Sequence, residues 1–167
     1  HGVGAFDAQS GRRPVAGGTT QGKAISETLM KLAAEDERIY AITPAMTTGA
    51  HLTEFAKKYP KRFIDAGIAE EHALVLANAL ALSGMKPYVT IYSTFLQRGY
   101  DQVNHDIARM GGDVVVGIDR CGVIGEDGVS HQGIFDVSLL LPIPGITLAQ
   151  GKDAAESARL LATGFAT

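Results

Sequence analysis

The sequence predicts an α/β fold, a three-layer structure in which a mostly parallel sheet carries helices on both of its faces. Two observations lead to this prediction. Short apolar runs of strand length alternate along the chain with longer stretches of helical periodicity. One such run, VVVGID at 114–119, is almost continuously apolar, which is typical of a strand inside a parallel sheet. The length of 167 residues suits a single domain.

The first half of the chain contains two helix–strand alternations. Leu29, Leu32 and Ala33 form an apolar stripe at helical spacing, while Pro44 and Pro60 end the runs that precede them. The predicted elements are a helix at 20–37, a strand at 38–43, a short helix at 51–59 and a strand that begins at 62–65.

The next helix, predicted at 69–83, has the clearest boundaries. Gly67 precedes it, and Gly84 stands where glycine commonly ends a helix. Between 73 and 82 every residue except Asn78 is apolar. We therefore predict that this helix is buried on all sides and has no solvated face.

The second half continues the alternation around a glycine-rich loop. The 20 glycines among 167 residues exceed the average share of ~7%, and several of them lie in this loop. The predicted elements are a strand at 86–92, a helix at 93–110, a strand at 114–119, the loop at 122–133, a short helix, a strand at 145–149 and a helix that begins at Asp153.

The two ends differ from the rest. Residues 1–18 have no periodicity and are predicted to be an interdomain linker or arm, whereas 19–167 form the domain. Because the chain begins with His1 and stops at Thr167 inside a helical pattern, we expect it to be a piece of a longer protein.

Composition argues against several functional classes. A net charge of −3 provides no basic field for nucleic acid or an anionic membrane. A single cysteine, Cys121, excludes a disulfide framework, and no apolar run approaches the ~20 residues of a spanning helix. No pair of histidines and acids has a recognised metal-ligand spacing. We expect a cytoplasmic protein without a metal site of its own.

Polar clusters follow the predicted strands, at the edge where parallel sheets bind ligands. Glu70 and Glu71 open the helix at 69–83, where acids suit a helix N-terminus. Adjacent helical residues point about 100° apart, so we expect one of them to face solvent and the other the interior. A carboxyl group that faces the interior at the start of a buried helix is a candidate for a raised pKa or for a proton shared with a partner.

Two further clusters each allow two interpretations. Tyr92, Phe95 and Arg98 are spaced to share one face, either as core packing with a solvated charge or as a stacking platform for a flat heterocycle. Arg120, after the strand at 114–119, is either a bidentate phosphate ligand or a surface ion-pair partner.

The glycine-rich loop is the most suggestive cluster. It crowds Asp127, Ser130 and His131 together, and His131 is a candidate for acid–base chemistry with Asp127 as its polar neighbour. The remaining histidines are interpreted as structural. The markers of nucleotide-binding folds, a Walker loop or a GxGxxG run, do not occur in the sequence.

Four segments together resemble one family. AITPAM (41–46), GIAEEHA (67–73), IYSTFLQRGYDQVNHD (91–106) and IDRCGVIGEDGVSHQGIFD (118–136) stand here in the order found in the 1-deoxy-D-xylulose-5-phosphate synthase family. These enzymes are thiamine-diphosphate-dependent relatives of transketolase. The resemblance covers about 20–167 and implies the pyrimidine domain of the thiamine-diphosphate-binding fold.

The resemblance also implies roles for the cofactor-binding residues. Glu70 matches the glutamate that hydrogen-bonds the aminopyrimidine ring and favours the tautomer able to deprotonate the thiazolium carbon. Ile68 matches the apolar residue that supports the bent cofactor. Tyr92, Phe95 and Arg98 match the residues that line the pyrimidine pocket, with Phe95 stacking on the ring. Glu71 replaces a glutamine that is common in the family, which adds a charge beside Glu70.

Further roles concern the substrates. Tyr92, Arg120, Asp127 and His131 match substrate-binding residues, with Arg120 on the phosphate and His131 as the acid–base participant. The resemblance implies a transferase that condenses pyruvate with glyceraldehyde 3-phosphate to 1-deoxy-D-xylulose 5-phosphate and CO2, the first step of the non-mevalonate isoprenoid pathway, which also supplies thiamine biosynthesis.

It implies, too, that this piece is incomplete as an enzyme. The diphosphate and Mg²⁺ site of the family belongs to an N-terminal domain, a C-terminal domain follows, and the whole is a homodimer. We expect the chain alone to be inactive. Two alternatives are a subunit of a split transketolase and a non-catalytic module that binds a thiamine-like ligand.

Overall fold

A four-stranded parallel sheet forms the middle of the molecule. The computed structural model of the chain describes residues 6–12 and 20–166. Its strands are β1 Ile39–Thr43, β2 Phe63–Asp65, β3 Lys86–Tyr92 and β4 Val115–Asp119. They lie in the order β2-β1-β3-β4, and every neighbouring pair is parallel. The sheet class and these four strands are as the sequence predicts.

Helices alternate with the strands, as expected for parallel connections. Their bounds are α1 Gln21–Glu35, α2 Thr53–Lys58, α3 Glu70–Leu82, α4 Ser93–Leu96, α5 Asp136–Leu140 and α6 Ala154–Gly164. Two of them begin at side-chain caps. The Thr20 hydroxyl accepts from the Lys23 N–H at 3.2 Å, and the Asp153 carboxylate accepts from the Glu156 N–H at 2.8 Å.

Two apolar cores, one on each face of the sheet, make the structure three-layered. On one face α3 and the segment after α4 pack on β3, and on the other face α1, α2 and α6 do so. Successive residues of one strand divide between the cores: Ile42 belongs to the first and Ala41 to the second. This is the period-2 alternation of a sheet covered on both sides, and it confirms the predicted architecture.

The helix predicted at 93–110 is a composite. After α4 the chain passes through a 3₁₀ turn, Gln97–Gly99, and then a π-helix, Gln102–Ala108. Gly99 lies so close to α3 that a Cβ there would be 2.3 Å from the Leu74 Cδ1 atom. The spacing of apolar residues does not reveal such a change of helical pitch. It depends on how closely this segment packs against α3.

Two predictions about elements are wrong. α3 has a solvated side, on which Val75 and Leu82 are 43% and 54% exposed, because a helix in an outer layer is covered by the chain only where it faces the sheet. Gly145–Ala149, all of them described, form no strand. Ile146 packs on the core, but 147–150 are exposed, and an apolar run becomes a strand only where a neighbouring backbone pairs with it.

The predicted linker lies mostly outside the described residues. Its described part, 6–12, is a turn in which the Asp7 carboxylate accepts from the Ser10 hydroxyl and backbone. The division at 18 and 19 therefore stays a prediction. Within 6–12 and 20–166, no helix combines the length and apolar character that crossing a membrane requires.

Asp65, the last residue of β2, ties together the loops that follow β1 and β2. Its carboxylate accepts from the Ala45 N–H at 2.9 Å, the Gly67 N–H at 3.0 Å and the Thr47 hydroxyl at 2.9 Å. Partial burial opposes ionisation, but these three hydrogen bonds outweigh it and lower the pKa of Asp65. The contact fixes the turn from which α3 begins.

We expect Gly117→Ala to destabilise the sheet. Gly117 lies in β4 against the buried Tyr88 of β3, and a Cβ there would be 2.1 Å from the Tyr88 hydroxyl oxygen. Overpacking of this kind costs about 1–3 kcal/mol in the free energy of unfolding. Urea denaturation measures the loss. The matched control is Gly125→Ala, since a Cβ at Gly125 meets no atom within 4 Å; equal losses in both variants would contradict the packing argument.

Asp65→Asn should lower stability at neutral pH but much less in acid. Because the pKa of Asp65 is lowered in the folded state, its stabilisation is complete above the unfolded value of about 3.9 and is lost as the pH falls through the lower folded value. We expect a difference of roughly 1 kcal/mol at pH 7 that shrinks below about pH 4. Urea denaturation across this range, with exposed Asp101→Asn as the control, checks it; a pH-independent difference would refute it.

Candidate active site

The polar clusters that the sequence singles out meet at the carboxyl edge of the sheet. Register explains why: Tyr92, the last residue of β3, pairs with Asp119, the last residue of β4. Arg120 follows directly, and α3 begins five residues after the end of β2. The candidate site is therefore assembled from three different strand ends, as is usual for open parallel sheets.

Three rings form one aromatic group at this edge. The ring centroids of Tyr92 and Phe95 are 5.0 Å apart, and His131 stands nearly perpendicular to both, at 5.9 Å and 5.6 Å. Tyr92 ends β3 and Phe95 lies one turn into α4, while His131 arrives from the glycine-rich loop. The predicted shared face of Tyr92 and Phe95 is confirmed, and the loop joins it.

Glu70 is a buried carboxyl group with an unsatisfied oxygen. The residue is 3% exposed at the first position of α3, and its Oε2 atom accepts no hydrogen bond from the described residues. Glu71 is exposed, so the two acids divide between interior and solvent as predicted. Because an unpartnered buried acceptor is costly, this oxygen is a candidate contact for a hydrogen-bond donor from outside the described residues.

Arg98 connects this carboxyl group with the aromatic group. Its Nη1 atom is 3.6 Å from Glu70 Oε2, an ion pair without a hydrogen bond, and its guanidinium carbon is 5.7 Å from the centroid of Phe95. The Arg98 side chain is 55% exposed. The site thus presents a flat ring surface with a buried carboxylate at one side and a solvated cation above it.

Arg120, Asp127 and Tyr92 form a second charged group. The Asp127 carboxylate accepts from the Arg120 guanidinium through one oxygen and from the Tyr92 hydroxyl through the other. The guanidinium carbon of Arg120 is 5.3 Å from the centroid of the Tyr92 ring. Burial, together with the hydrogen bond to Asp127, raises the pKa of Tyr92, so the phenol stays neutral at physiological pH.

The glycine-rich loop is closed at its base by Gln132. Its amide donates to the Ile124 carbonyl at 2.9 Å and accepts from the Ile124 N–H at 2.8 Å. Gly133 forms bridges to Cys121 and Gly122, and a Cβ at Gly133 would be 2.5 Å from the Ser93 hydroxyl. Only glycine fits there, so the loop returns close to the ends of β3 and β4.

His131 has a polar contact within the loop, whereas Ile68 is largely exposed. The Nδ1 atom of His131 lies 2.6 Å from the Ser130 hydroxyl. Asp127, expected as the polar neighbour of His131, is bonded to Tyr92 and Arg120 instead. Ile68 projects from the turn after Gly67 and is 81% exposed, an unusual position for an isoleucine.

The described residues contain neither a reactive thiol nor a metal-binding group. Burial of the sulfur and the neighbouring Asp136 carboxylate raise the pKa of Cys121 to about 12, so the thiol stays protonated although the residue is partly exposed. In the part of the chain that the structure describes, histidine, cysteine and carboxylate side chains form no group able to hold a metal ion.

Sequence reasoning missed two carboxylates that shape the site. Asp65 fixes the turn before Glu70, and its signal was a strand-ending aspartate followed by Ala-Gly, a pattern typical of side-chain-closed turns. Buried Asp136 accepts from the Ser93 hydroxyl at 2.7 Å, which joins α5 to the start of α4. It ends a motif recognised in the sequence, but spacing alone could not indicate its partner.

Comparison with known proteins agrees with this architecture. The family described as "Transketolase, pyrimidine binding domain" matches residues 18–167. The 1-deoxy-D-xylulose-5-phosphate synthase of Listeria monocytogenes serotype 4b is 50% identical over 99% of this chain and 27% of that protein. The one from Bacillus cereus (strain G9842) is 49% identical over 99% of this chain and 26% of that protein. The chain thus spans about a quarter of these curated relatives.

Solved structures share the fold. A split-gene transketolase, described as an inactive beta4 tetramer, superposes with a TM-score of 0.80 at 24% identity over 90% of this chain and 49% of that one. A transketolase from Pichia stipitis gives 0.79 at 18% identity over 92% of this chain and 25% of that one. The predicted resemblance and fold are confirmed: this chain belongs to the transketolase pyrimidine-binding-domain family.

Proposed function

We propose that this chain is the pyrimidine-binding part of a 1-deoxy-D-xylulose-5-phosphate synthase. Family membership and relatives of about 50% identity that carry this name support the assignment. The observation that carries it is the buried Glu70 Oε2 atom, which lacks a donor beside the ring of Phe95 and the guanidinium of Arg98. This environment suits a flat, hydrogen-bonding heterocycle.

The residues present fit thiamine diphosphate. Phe95 offers a ring face for stacking on the aminopyrimidine, Tyr92 and Arg98 border it, and exposed Ile68 is available to support the cofactor from the turn before α3. In this proposal the Glu70 carboxyl group hydrogen-bonds a ring nitrogen and holds a proton there. When bound, the cofactor supplies carbanion chemistry, while the protein determines tautomer and position.

The second charged group is assigned to the substrates. Arg120 can bind a phosphate group as a planar, permanently charged donor, and Tyr92, Asp127 and His131 surround the same edge of the site. In the whole enzyme these residues would receive pyruvate and glyceraldehyde 3-phosphate, with His131 acting as the acid–base group.

Several parts of the proposal concern regions outside this chain. The family resemblance assigns the diphosphate and Mg²⁺ to a preceding domain. A following domain, a homodimer and a cytoplasmic location complete the proposed enzyme. The exposed apolar Val75 and Leu82 on α3 agree with packing against another domain or subunit.

The synthase is favoured over a split transketolase by sequence. The split-gene structure shares the fold at 24% identity, whereas the synthases are about 50% identical over nearly the whole chain. A non-catalytic binding module remains as the second alternative, and it is separated from the proposal by the binding experiment below.

Glu70→Gln in the longer protein should slow proton exchange at the thiazolium carbon of bound thiamine diphosphate at least about a hundredfold, since the carboxyl group that sets the tautomer is lost. Deuterium exchange followed by NMR after acid quench measures it. Glu71→Gln, one position further and exposed, is the matched control and should exchange at close to the parent rate. Unchanged exchange in Glu70→Gln, with folding intact, would overturn the assignment.

Calorimetry should show that the 167-residue chain alone binds thiamine diphosphate with Mg²⁺ more weakly than about 1 mM, whereas the longer protein binds it tightly. The reason is that the chain contributes the pyrimidine contacts but not the diphosphate site. Submicromolar binding by the chain alone would favour the non-catalytic module.

A further inference from the structure

Arg120, the proposed phosphate ligand, already holds an anion of the protein itself. Its guanidinium donates to Asp127, whose side chain is only 8% exposed, while the Arg120 side chain is 44% exposed. A substrate anion that approaches from solvent therefore meets a cation whose charge is neutralised from the protein side. Any ligand of Arg120 has to compete with this carboxylate.

The pairing is built into the backbone. Arg120 leaves β4 at a φ of 55°, a region that non-glycine residues rarely occupy, and its N–H donates to the Asp119 carboxylate at 2.9 Å. Asp127 sits in a 3₁₀ turn, Gly125–Asp127, inside the loop whose base Gln132 closes. The two charged side chains are thus brought together by two fixed turns.

The hydroxyl of Tyr92 adds a second constraint. It donates to the other oxygen of Asp127, so the carboxylate is held between the phenol and the guanidinium. Loss of the Arg120 contact would leave the carboxylate hydrogen-bonded to Tyr92. The other oxygen of Asp127 would lose its donor and its counter-charge, so displacing the carboxylate has a cost that only a strongly held ligand offsets.

Both proposed substrates are anions, but they differ in charge. Pyruvate carries a carboxylate of one charge, the same group that Asp127 already places on Arg120. A phosphate monoester carries about −1.5 to −2 charges at pH 7 and three acceptor oxygens. Since Coulomb energy scales with charge, a phosphate dianion has an advantage over Asp127 that an external carboxylate lacks.

We propose that Asp127 is a specificity-determining residue, an internal competitor that reserves Arg120 for phosphate dianions and keeps carboxylates, including that of pyruvate, away from it. The inference rests on the proposed function for the identity of the two substrates. In this proposal one side chain distinguishes the phosphate of glyceraldehyde 3-phosphate from the carboxylate of pyruvate. It does so by disfavouring the wrong ligand.

Chemical modification of Arg120 tests this without measuring turnover. The longer protein is treated with phenylglyoxal, and the modification rate of Arg120 is measured by peptide mass spectrometry relative to exposed Arg159. In Asp127→Asn the relative rate should rise at least about threefold, because the guanidinium loses its ion pair. Asp119→Asn is the matched control, since asparagine removes the charge but still accepts from the Arg120 N–H, and its rate should not change.

Added anions then supply the decisive comparison. Methyl phosphate should protect Arg120 in the parent protein and in Asp127→Asn, whereas acetate at the same concentration should protect it only in Asp127→Asn. Tyr92→Phe, which keeps the ion pair, should behave like the parent towards acetate and serves as a second variant if Asp127→Asn fails to fold. Equal protection of the parent by acetate and methyl phosphate, or none by methyl phosphate, would overturn the proposal.

The outcome is separable from that of the proposed function. Proton exchange in Glu70→Gln reports on the cofactor side of the site, and anion protection of Arg120 reports on the substrate side. If exchange is unaffected but the anion ranking holds, the synthase assignment fails and Asp127 remains a selector for phosphate. If the ranking fails and exchange is lost, only the selector role is refuted.

Discussion

Parallel pairing of β1, β3 and β4 is the constraint on which the rest of the molecule depends. Parallel strands require a crossover between them, so the chain returns through a helix each time and every strand ends at the same edge. The register of Tyr92 with Asp119 places two loops side by side that are far apart in sequence. The aromatic group, the Glu70–Arg98 pair and the Arg120–Asp127 pair all lie at that edge.

The second determinant is the burial of charge at this edge. Glu70 is almost fully buried but receives only a 3.6 Å ion pair from Arg98, whereas Asp127 is bonded by both Arg120 and Tyr92. A buried carboxyl group without a hydrogen-bond donor lowers the stability of a fold. Glu70 Oε2 thus accepts no hydrogen bond from the described residues, whereas both oxygens of Asp127 do.

Most of the fold could be predicted because periodicity reports burial directly. β3 was predicted with its observed bounds, and β4 differs by one residue, since apolar runs inside a parallel sheet are continuous. The two wrong predictions, the strand at 145–149 and the complete burial of α3, have one cause. Residues 145–149 and the outer side of α3 are apolar. Apolar composition predicts that a residue prefers burial, but it does not indicate which surface covers that residue.

The grouping of the candidate site residues at one edge of the sheet could be predicted, but their individual contacts could not. The resemblance singles out Glu70, Phe95 and Arg120, but their contacts depend on tertiary geometry. Arg98 forms an ion pair with Glu70, and Asp127 forms one with Arg120 instead of the expected pairing with His131. Asp65 and Asp136 were not singled out, because a carboxylate that accepts hydrogen bonds from a distant turn leaves no spacing signal in the sequence.

The Gln132 tie across the base of the glycine-rich loop has a consequence for how this surface can diversify. The amide of Gln132 and the backbone of Ile124 hold the two ends of the loop together, so the residues between them are not needed to hold the strands in place. The entropy of loop closure grows only slowly with loop length. Changes within 125–131 would therefore alter the contacts that Asp127 and His131 make at the candidate site while leaving the strands in place.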